Sequence, residues 1–350
     1  MQTETLIVGG GLAGLSLADR LERAGHDWLL VERAAHTGGR IRTRRFGGVP
    51  VDLGPAWIWP GQPRSAALAA RLGLDVFAQY STGTGLFQRS GGQVQKGFGA
   101  GSMQGSLRLS GGMQGLTDGL TEALPEARIL KGCPVLHLAR AAQGIVADTA
   151  DKQITAQRVV MALPPRIAAQ DIIFAPALPE PMQRTMAAVP TWMAGHAKIV
   201  AVCERAWWRE AGLSGDAISQ RGPMVEIHDA SPADGSGFAL FGFVGVPAAA
   251  RAEHQAEILH LAQEQLVALF GPQMAKGVTL HMEDWAQNPH VATAADHIPP
   301  AQHPAYGTPH ELRDVWDGRM IFASSEMGED FGGFLEGALE AAEQAAARIL

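Results

Sequence analysis

An α/β fold, in which a parallel β–α–β unit is interrupted by a second, sheet-containing domain, is predicted by three features of this sequence. Residues 4–8 form an apolar strand that runs into Gly9-Gly10-Gly11 and then into a helix from Leu12 to Arg23. A second apolar strand, from Asp27 to Val31, follows that helix at once, the order of a parallel unit with a crossover helix. Farther along, similar units alternate with hairpin-like antiparallel runs, which a purely parallel sheet would lack. The length of 350 residues allows one large or two moderate domains and a sizeable core.

In chain order, Gly25 stops the first helix and the second strand ends at Glu32. Asp52-Leu53-Gly54-Pro55 closes another extended stretch, with a helix through about Leu72. Residues 81–119 hold 12 glycines in 39 positions, which predicts hairpins and turns, with Ser90-Gly91-Gly92 at a hairpin tip. Helical pattern returns from Gly115 to Leu124, and strand-like runs at 128–130, 134–139, 144–148 and 157–163 end at Pro164-Pro165. Further strands are predicted at 196–203 and 238–244, and a helix from Glu253 to Phe270 stops at Gly271-Pro272. A last strand from Arg319 to Ala323 leads through a glycine-rich turn into a C-terminal helix from about Phe334. This order assigns 1–75, 112–170 and 285–350 to one discontinuous domain, and 76–111 with 171–284 to a second.

Composition narrows the function. A net charge of −7 argues against a nucleic-acid or anionic-membrane surface. The two cysteines, Cys133 and Cys203, form no CxxC motif, which excludes a disulfide scaffold and suits a reducing compartment. No basic segment precedes the first strand, so no signal peptide is expected, and no apolar stretch reaches the roughly 18 residues of a membrane span. A cytoplasmic protein is the expectation. No HExxH or paired-histidine spacing occurs, so no metal site is expected. Glycine, at 42 residues, exceeds its usual share, as expected where backbone packs closely against a ligand or turns sharply.

Gly9-x-Gly11-x-x-Gly14 fits GxGxxG in its proper setting, after a strand and at the start of a helix that includes Leu12 and Ala13. Glycines there let backbone N–H groups approach a pyrophosphate at a helix N-terminus. Glu32 lies 23 positions after Gly9, at the end of the next strand, where a carboxylate accepts hydrogen bonds from an adenosine ribose. NAD and FAD share this fingerprint. Lys198 stands in Ala197-Lys198-Ile199-Val200-Ala201-Val202, apolar on both faces. Its ammonium is therefore either buried, with a lowered pKa, or snorkelling from a strand end.

Gly38-Gly39-Arg40-Ile41-Arg42-Thr43 resembles the GG motif that lies beside the FAD diphosphate in the flavin amine oxidase superfamily. From there the likeness covers nearly the whole chain, which is identified as a short, bacterial-type member of the monoamine oxidase-like flavin amine oxidases. The implied fold is a Rossmann-like FAD-binding domain of the GR2, or amine oxidase, type with an interrupting α+β substrate domain. Asp52-Leu53-Gly54-Pro55-Ala56-Trp57 resembles the segment passing under the flavin, and Gly132-Cys133-Pro134-Val135 the strand whose valine touches adenine. Ser325-Glu326 and Gly333-Phe334-Leu335-Glu336-Gly337-Ala338 resemble the flavin-contacting tail. By that match Glu326 holds the ribityl or pyrophosphate region, and the N–H of Leu335 faces the flavin O2. The run from Lys198 to Trp207-Trp208 resembles the segment whose lysine holds a water against flavin N5, so Lys198 is the catalytic candidate. Trp285 resembles the tryptophan beside the flavin; a plain core tryptophan is the alternative. Candidate substrate-facing residues are Trp57, Trp285, His297 and Phe334.

The chain departs from the pattern at several points. Of the two aromatic cage positions, one falls at Phe334 and the other in Ala292-Thr293-Ala294-Ala295, without an aromatic. The cysteine that binds flavin covalently in mitochondrial monoamine oxidases also falls there and is absent, so non-covalent FAD is expected. The arginine two residues after the ribose carboxylate is replaced by Ala34, with Arg33 as a substitute. Family members are longer, and the shortfall around 80–115 implies a reduced substrate domain with a wider entrance. The resemblance implies oxidation of a small-molecule amine by hydride transfer to flavin N5, giving an imine, with O2 or another acceptor taking the electrons. Alternatives are a renalase-like or desaturase-like FAD oxidoreductase acting on a non-amine, or a flavin-binding partner protein without amine turnover. Oligomeric state is not legible.

Overall fold

Strand Gln2–Val8 lies at the centre of the first sheet, paired in parallel with Trp28–Glu32 on one side and Gln153–Met161 on the other. The structure, a computed structural model, describes residues 1–97 and 103–350. Among the described residues this sheet has eight strands. Ile129–Lys131 extends it in parallel beyond Trp28–Glu32, and Met320–Phe322 pairs in parallel with the C-terminal end of Gln153–Met161. The other end of Gln153–Met161 begins an antiparallel meander through Gly144–Thr149 and Val135–Ala141. The continuous apolar runs of the parallel strands have a direct cause, since both faces are covered. Ile7, Leu30 and Val160 pack with helices Leu12–Arg23, Gln114–Glu122 and Leu335–Ile349 on one face. Leu6, Val31 and Val159 pack on the other with the meander, Met186 and Met327.

The second sheet has seven strands among the described residues, in the order Val278–Asp284, Ala197–Cys203, Phe238–Val244, Met224–Asp229, Leu213–Ser219, Thr84–Gln88, Val94–Lys96. Side chains alternate across it. Ile199, Ala201 and Leu240 pack beneath helix Gln255–Phe270. Val200 and Phe241 point the opposite way, onto Val49, Val51 and Leu53 of the first domain. Lys198 shares the parity of Val200, so it stands on the face that looks toward the first domain.

Several expectations need correction. The helix expected from Glu253 to Phe270 is two helices, Ala248–Glu253 and Gln255–Phe270, broken at His254 with φ −121° and ψ 30°. The strands Leu213–Ser219, Met224–Asp229 and Val278–Asp284 were not singled out by pattern. In Leu213–Ser219 and Met224–Asp229 buried polar residues such as Ser214, Asp216, His228 and Asp229 hide the alternation, and Val278–Asp284 is half-buried along nearly its whole length. The start of the 171–284 segment packs with the first domain. Ile173–Ala175 pairs with Val135–Ala141, and Leu178 and Met186 join the first sheet's core. Ser90-Gly91-Gly92 does turn between Thr84–Gln88 and Val94–Lys96, with Gly92 at φ +88°. The glycine-rich stretch at 98–102 lies outside the described residues.

Candidate active site

A cavity of about 1060 Å³ lies between the two sheets, reaching from the Gly9–Gly11 turn and Glu32 to Lys198, Trp285 and Phe334. At its first end, the glycines are required by close backbone approach. Gly9 has φ +113°, and a Cβ there would sit 2.7 Å from the carbonyl oxygen of Ala162. A Cβ on Gly14 would lie 1.9 Å from the carbonyl oxygen of Gly9, so Gly14 sets how tightly the helix packs on the turn. The Glu32 carboxylate is held at both oxygens, accepting from Gly10 N at 2.6 Å and Ala34 N at 2.7 Å. Gly38 N donates to Gly10 O at 2.8 Å and brings the Gly38-Gly39 turn against the first turn. The helix beginning at Leu12 presents free N–H groups to this end, a favourable place for a diphosphate.

In the middle of the wall, Arg40 donates to Glu326 Oε1 at 2.7 Å and Oε2 at 3.2 Å, to Ser325 Oγ at 2.9 Å and to Trp192 O at 3.3 Å. Glu326 is fully buried. Burial alone raises its pKa, but the charge and hydrogen bonds of Arg40 hold it below the usual carboxylate range. Ser324 Oγ is buried without a hydrogen-bond partner among the described residues, although the residue lines the cavity.

At the far end, the Nζ of Lys198 donates to Gly54 O at 2.7 Å and Asp52 O at 3.0 Å, and lies 4.2 Å from the centroid of the Phe241 ring. Trp285 Nε1 donates to the intervening Leu53 O at 2.9 Å. Lysine and tryptophan thus fix three successive carbonyls of the segment that ends in Pro55-Ala56-Trp57. With the side chain only 4% exposed, burial lowers the Lys198 pKa to about 7; Asp52 opposes this and Arg108 adds to it. Phe334 stacks on His303 with centroids 4.9 Å apart and planes at 19°, and Trp192 meets His303 edge-on at 4.6 Å.

Most residues singled out from sequence meet on this cavity wall. Gly9, Gly11, Leu12, Ala13, Glu32 and Gly39 line one end, and Arg40 the middle. Gly54, Pro55, Ala56, Trp57, Lys198 and Trp285 line the other. Leu335 and Ala338 join them from the start of the C-terminal helix, together with Phe334 and His297. Four candidates are not on the wall. Arg33 turns away and pairs with Asp171, as an exposed arginine beside a free carboxylate will. Val135 faces the first-sheet core. Gly14 packs inside the turn, and Glu326 sits behind Arg40 and acts through it. His297 meets the wall with Nε2 3.1 Å from Ala286 O. Arg42, of the same Gly-Gly-Arg segment, lines the cavity and pairs with Glu283 at 2.8 Å. Arg44 is exposed.

Sequence reasoning missed Trp192, His196, Glu226, Phe243 and Arg251, all on the wall. Trp192 occupies a loop next to Met193, which has φ 62°. It packs beside Phe334 and His303 on the wall, and loop position gave no periodic signal. Glu226 and His228 lie two apart on strand Met224–Asp229, which the sequence pattern did not single out, and their placement needed the neighbouring strands.

The residues present fit FAD. The close-approach glycines, the fixed Glu32 carboxylate, the arginine at mid-cavity and the unpartnered Ser324 hydroxyl suit a long dinucleotide with a flavin at the lysine end. Neither Cys133 nor Cys203 lines the cavity, so neither is placed to bond a flavin. Among the described residues no helix is long and apolar enough to cross a membrane, and no cluster of metal-ligating side chains occurs.

Comparison with known proteins gives two family matches: flavin containing amine oxidoreductase over residues 87–350, and an NAD(P)-binding Rossmann-like domain over residues 7–72. AofH of Mycobacterium tuberculosis, named provisionally as a flavin-containing monoamine oxidase, is 25% identical over 453 aligned residues, covering 99% of this chain and 96% of AofH. More than a hundred of those positions face no residue of this 350-residue chain. Among solved structures, cyclohexylamine oxidase from Brevibacterium oxydans superposes with a TM-score of 0.85 at 20% identity, covering 99% of this chain and 98% of that one. Wild-type putrescine oxidase bound to putrescine superposes at 0.83 and 19% identity, covering 100% and 99%. At these identities the structures show a shared fold.

Proposed function

This chain belongs to the flavin containing amine oxidoreductases, and from that premise we propose that it oxidises amines lacking a carboxylate, with Lys198 as its catalytic residue and O2 as electron acceptor. It is an FAD-dependent oxidoreductase acting on amines. The observation that carries the finer reading is the single cavity with a dinucleotide end and a lysine-and-aromatic end. The chemistry FAD supplies when bound is two-electron oxidation of the amine's C–N bond to an imine.

The chain's own residues bind, orient and exclude water. Lys198 gives two of its Nζ positions to Gly54 O and Asp52 O, which leaves one for a water or a proton in the cavity. A pKa of about 7 lets that nitrogen exchange a proton near neutral pH. Trp57, Trp285 and Phe334 give the amine apolar walls and limit water. The Leu335 N–H, in the first turn of a 15-residue helix on the cavity wall, would favour negative charge on a flavin bound against it.

Absence of a carboxylate on the substrate follows from the arginines. Arg40, Arg42 and Arg251 line the cavity and are each paired, with Glu326, Glu283 and Asp284. Arg205, Arg209 and Arg221 are off the wall, Arg205 on Glu210 and Arg209 on Asp229. Ile298, 85% exposed, also lines the cavity, which supports a wide entrance.

The test is anaerobic mixing of the FAD-loaded protein with simple amines, α-amino acids and NADH while the oxidised-flavin absorbance is followed. Bleaching by amines alone, with peroxide formed on readmitting air, is the expected result. Bleaching by NADH and by no amine would overturn it in favour of a reduced-nicotinamide oxidase.

A further inference from the structure

We propose that Arg108 and Asp52 are positioning residues for Lys198: a buried cation and a buried anion, neither of them ion-paired, that decide whether Lys198 faces the substrate as an ammonium or as an amine. The inference deepens the role proposed for Lys198 and rests on it. Arg108 is buried and forms no ion pair among the described residues. Its guanidinium donates to Ser231 O at 2.9 Å and Ala230 O at 3.0 Å, its Nε has no partner, and the Phe77 ring lies 5.2 Å away. A guanidinium keeps its charge at any working pH, and burying one without a carboxylate is unfavourable. Two carbonyls ask only for donors, which a neutral side chain supplies, so the charge itself needs a reason.

The other charges facing Lys198 have closer partners. By strand register Glu283 stands directly opposite Lys198 on one side, and Phe243 on the other with Glu226 beyond it. Glu283 holds Arg42, Asp229 holds Arg209 and Asp284 holds Arg251, each at 2.8 Å. Asp216 and Glu226 share His228, at 2.8 and 2.9 Å. Asp52 differs. Its buried carboxylate accepts from Thr43 Oγ1 at 2.6 Å and Met113 N at 2.8 Å, and no cation pairs with it among the described residues.

Both groups are tied to the lysine by short paths. Lys198 Nζ donates to the backbone carbonyl of Asp52 itself. Met113, which holds the Asp52 carboxylate, follows the strand Leu107–Leu109 that carries Arg108, after a turn in which Gly112 N donates to Leu109 O at 3.0 Å. One short stretch of chain therefore clamps Asp52 and places Arg108. Ala230, whose carbonyl Arg108 holds, and Phe241, 4.2 Å from Lys198 Nζ, belong to one buried apolar cluster with Val51 and Val200. Charges facing each other through such packing are weakly screened. Burial is the largest influence on Lys198, Asp52 opposes it and Arg108 reinforces it, which brings the lysine to about 7. Without Arg108, Lys198 would stay an ammonium to higher pH and exchange its proton less readily near neutrality.

The experiment reads Lys198 directly, by NMR titration of the FAD-loaded protein with its lysine side chains labelled with ¹³C. The chain has five lysines, and only Lys198 is buried. Its resonance is the one missing from Lys198→Met. The midpoint is expected at about 7 in the wild type. It should lie about one pH unit higher in Arg108→Gln and about one unit lower in Asp52→Asn. A loosened fold would move both variants the same way, toward the ordinary lysine value. An unmoved midpoint in Arg108→Gln, or shifts of one sign in both variants, overturns the inference. If Arg108→Gln does not fold, Asp52→Asn still decides, since a midpoint that fails to fall overturns it as well. The pH midpoint of flavin reoxidation in air, followed by stopped flow, should move with the NMR midpoint. A moving NMR midpoint with a stationary reoxidation profile strikes the role proposed for Lys198 and leaves the assignment of Arg108 and Asp52 standing.

Discussion

Replacing Lys198 by methionine removes a buried titrating group while keeping most of its length. Burial lowers its pKa from 10.5 to about 7. Between those values the unfolded chain binds the proton and the folded chain does not, so stability rises with pH across the window. Below about pH 7 both states are protonated and the full penalty, about 5 kcal/mol at 1.36 kcal/mol per unit, is present. Raising the pH from 7 to 9 recovers about 2 kcal/mol of it. Methionine cannot titrate, so the variant lacks this slope. The substitution also strips a donor from Asp52 O and Gly54 O, at about 1–3 kcal/mol each, a cost independent of pH. Near neutral pH the two effects largely cancel, and the signature is the pH dependence. Urea unfolding of both proteins at pH 7 and pH 9, at equal FAD, should show the wild type gaining about 2 kcal/mol relative to Lys198→Met. Identical pH dependences would refute a buried ammonium at this position. The same variant should also reoxidise its reduced flavin more slowly in air, seen by stopped flow, and an unchanged rate would remove the role proposed for Lys198.

Two further substitutions probe the cofactor end. Gly14→Ala puts a Cβ 1.9 Å from Gly9 O, so the turn must open; a loss of about 3 kcal/mol or more in unfolding free energy is expected, with FAD lost on gel filtration. Arg40→Ala leaves the fully buried Glu326 without its counter-charge, at about 3–5 kcal/mol. In the wild type the depressed pKa of Glu326 stabilises above the ordinary carboxylate value and is lost as pH falls through the folded value. In Arg40→Ala burial, the largest of the influences on Glu326, opposes only a backbone hydrogen bond and Ser324, so stability should fall as pH rises from 4 to 7; thermal unfolding over that range measures the reversal.

The features legible in the sequence are those with local causes. A glycine turn between strand and helix, a carboxylate at the end of the next strand and a Gly-Gly-Arg after it are fixed by backbone needs within a few residues, and all meet on one cavity wall. The apolar run around Lys198 left its ammonium either buried or snorkelling from a strand end, and the structure buries it. Arg33 and Val135 were placed by the family resemblance alone, and their side chains took nearer partners, Asp171 and the sheet core.

By itself, then, the sequence determined the nucleotide-binding unit, the strand that carries Lys198 and the family's flavin-facing segments. Tertiary structure alone decided how Glu226, Phe243 and Lys198 line up, because register between strands distant in sequence sets that row. It likewise decided that Trp192 would stand beside Phe334 and His303, and that Lys198 would spend two hydrogen bonds on the 52–54 backbone. Both depend on packing one sheet against the other, and no local pattern records which loop or carbonyl that packing brings within reach.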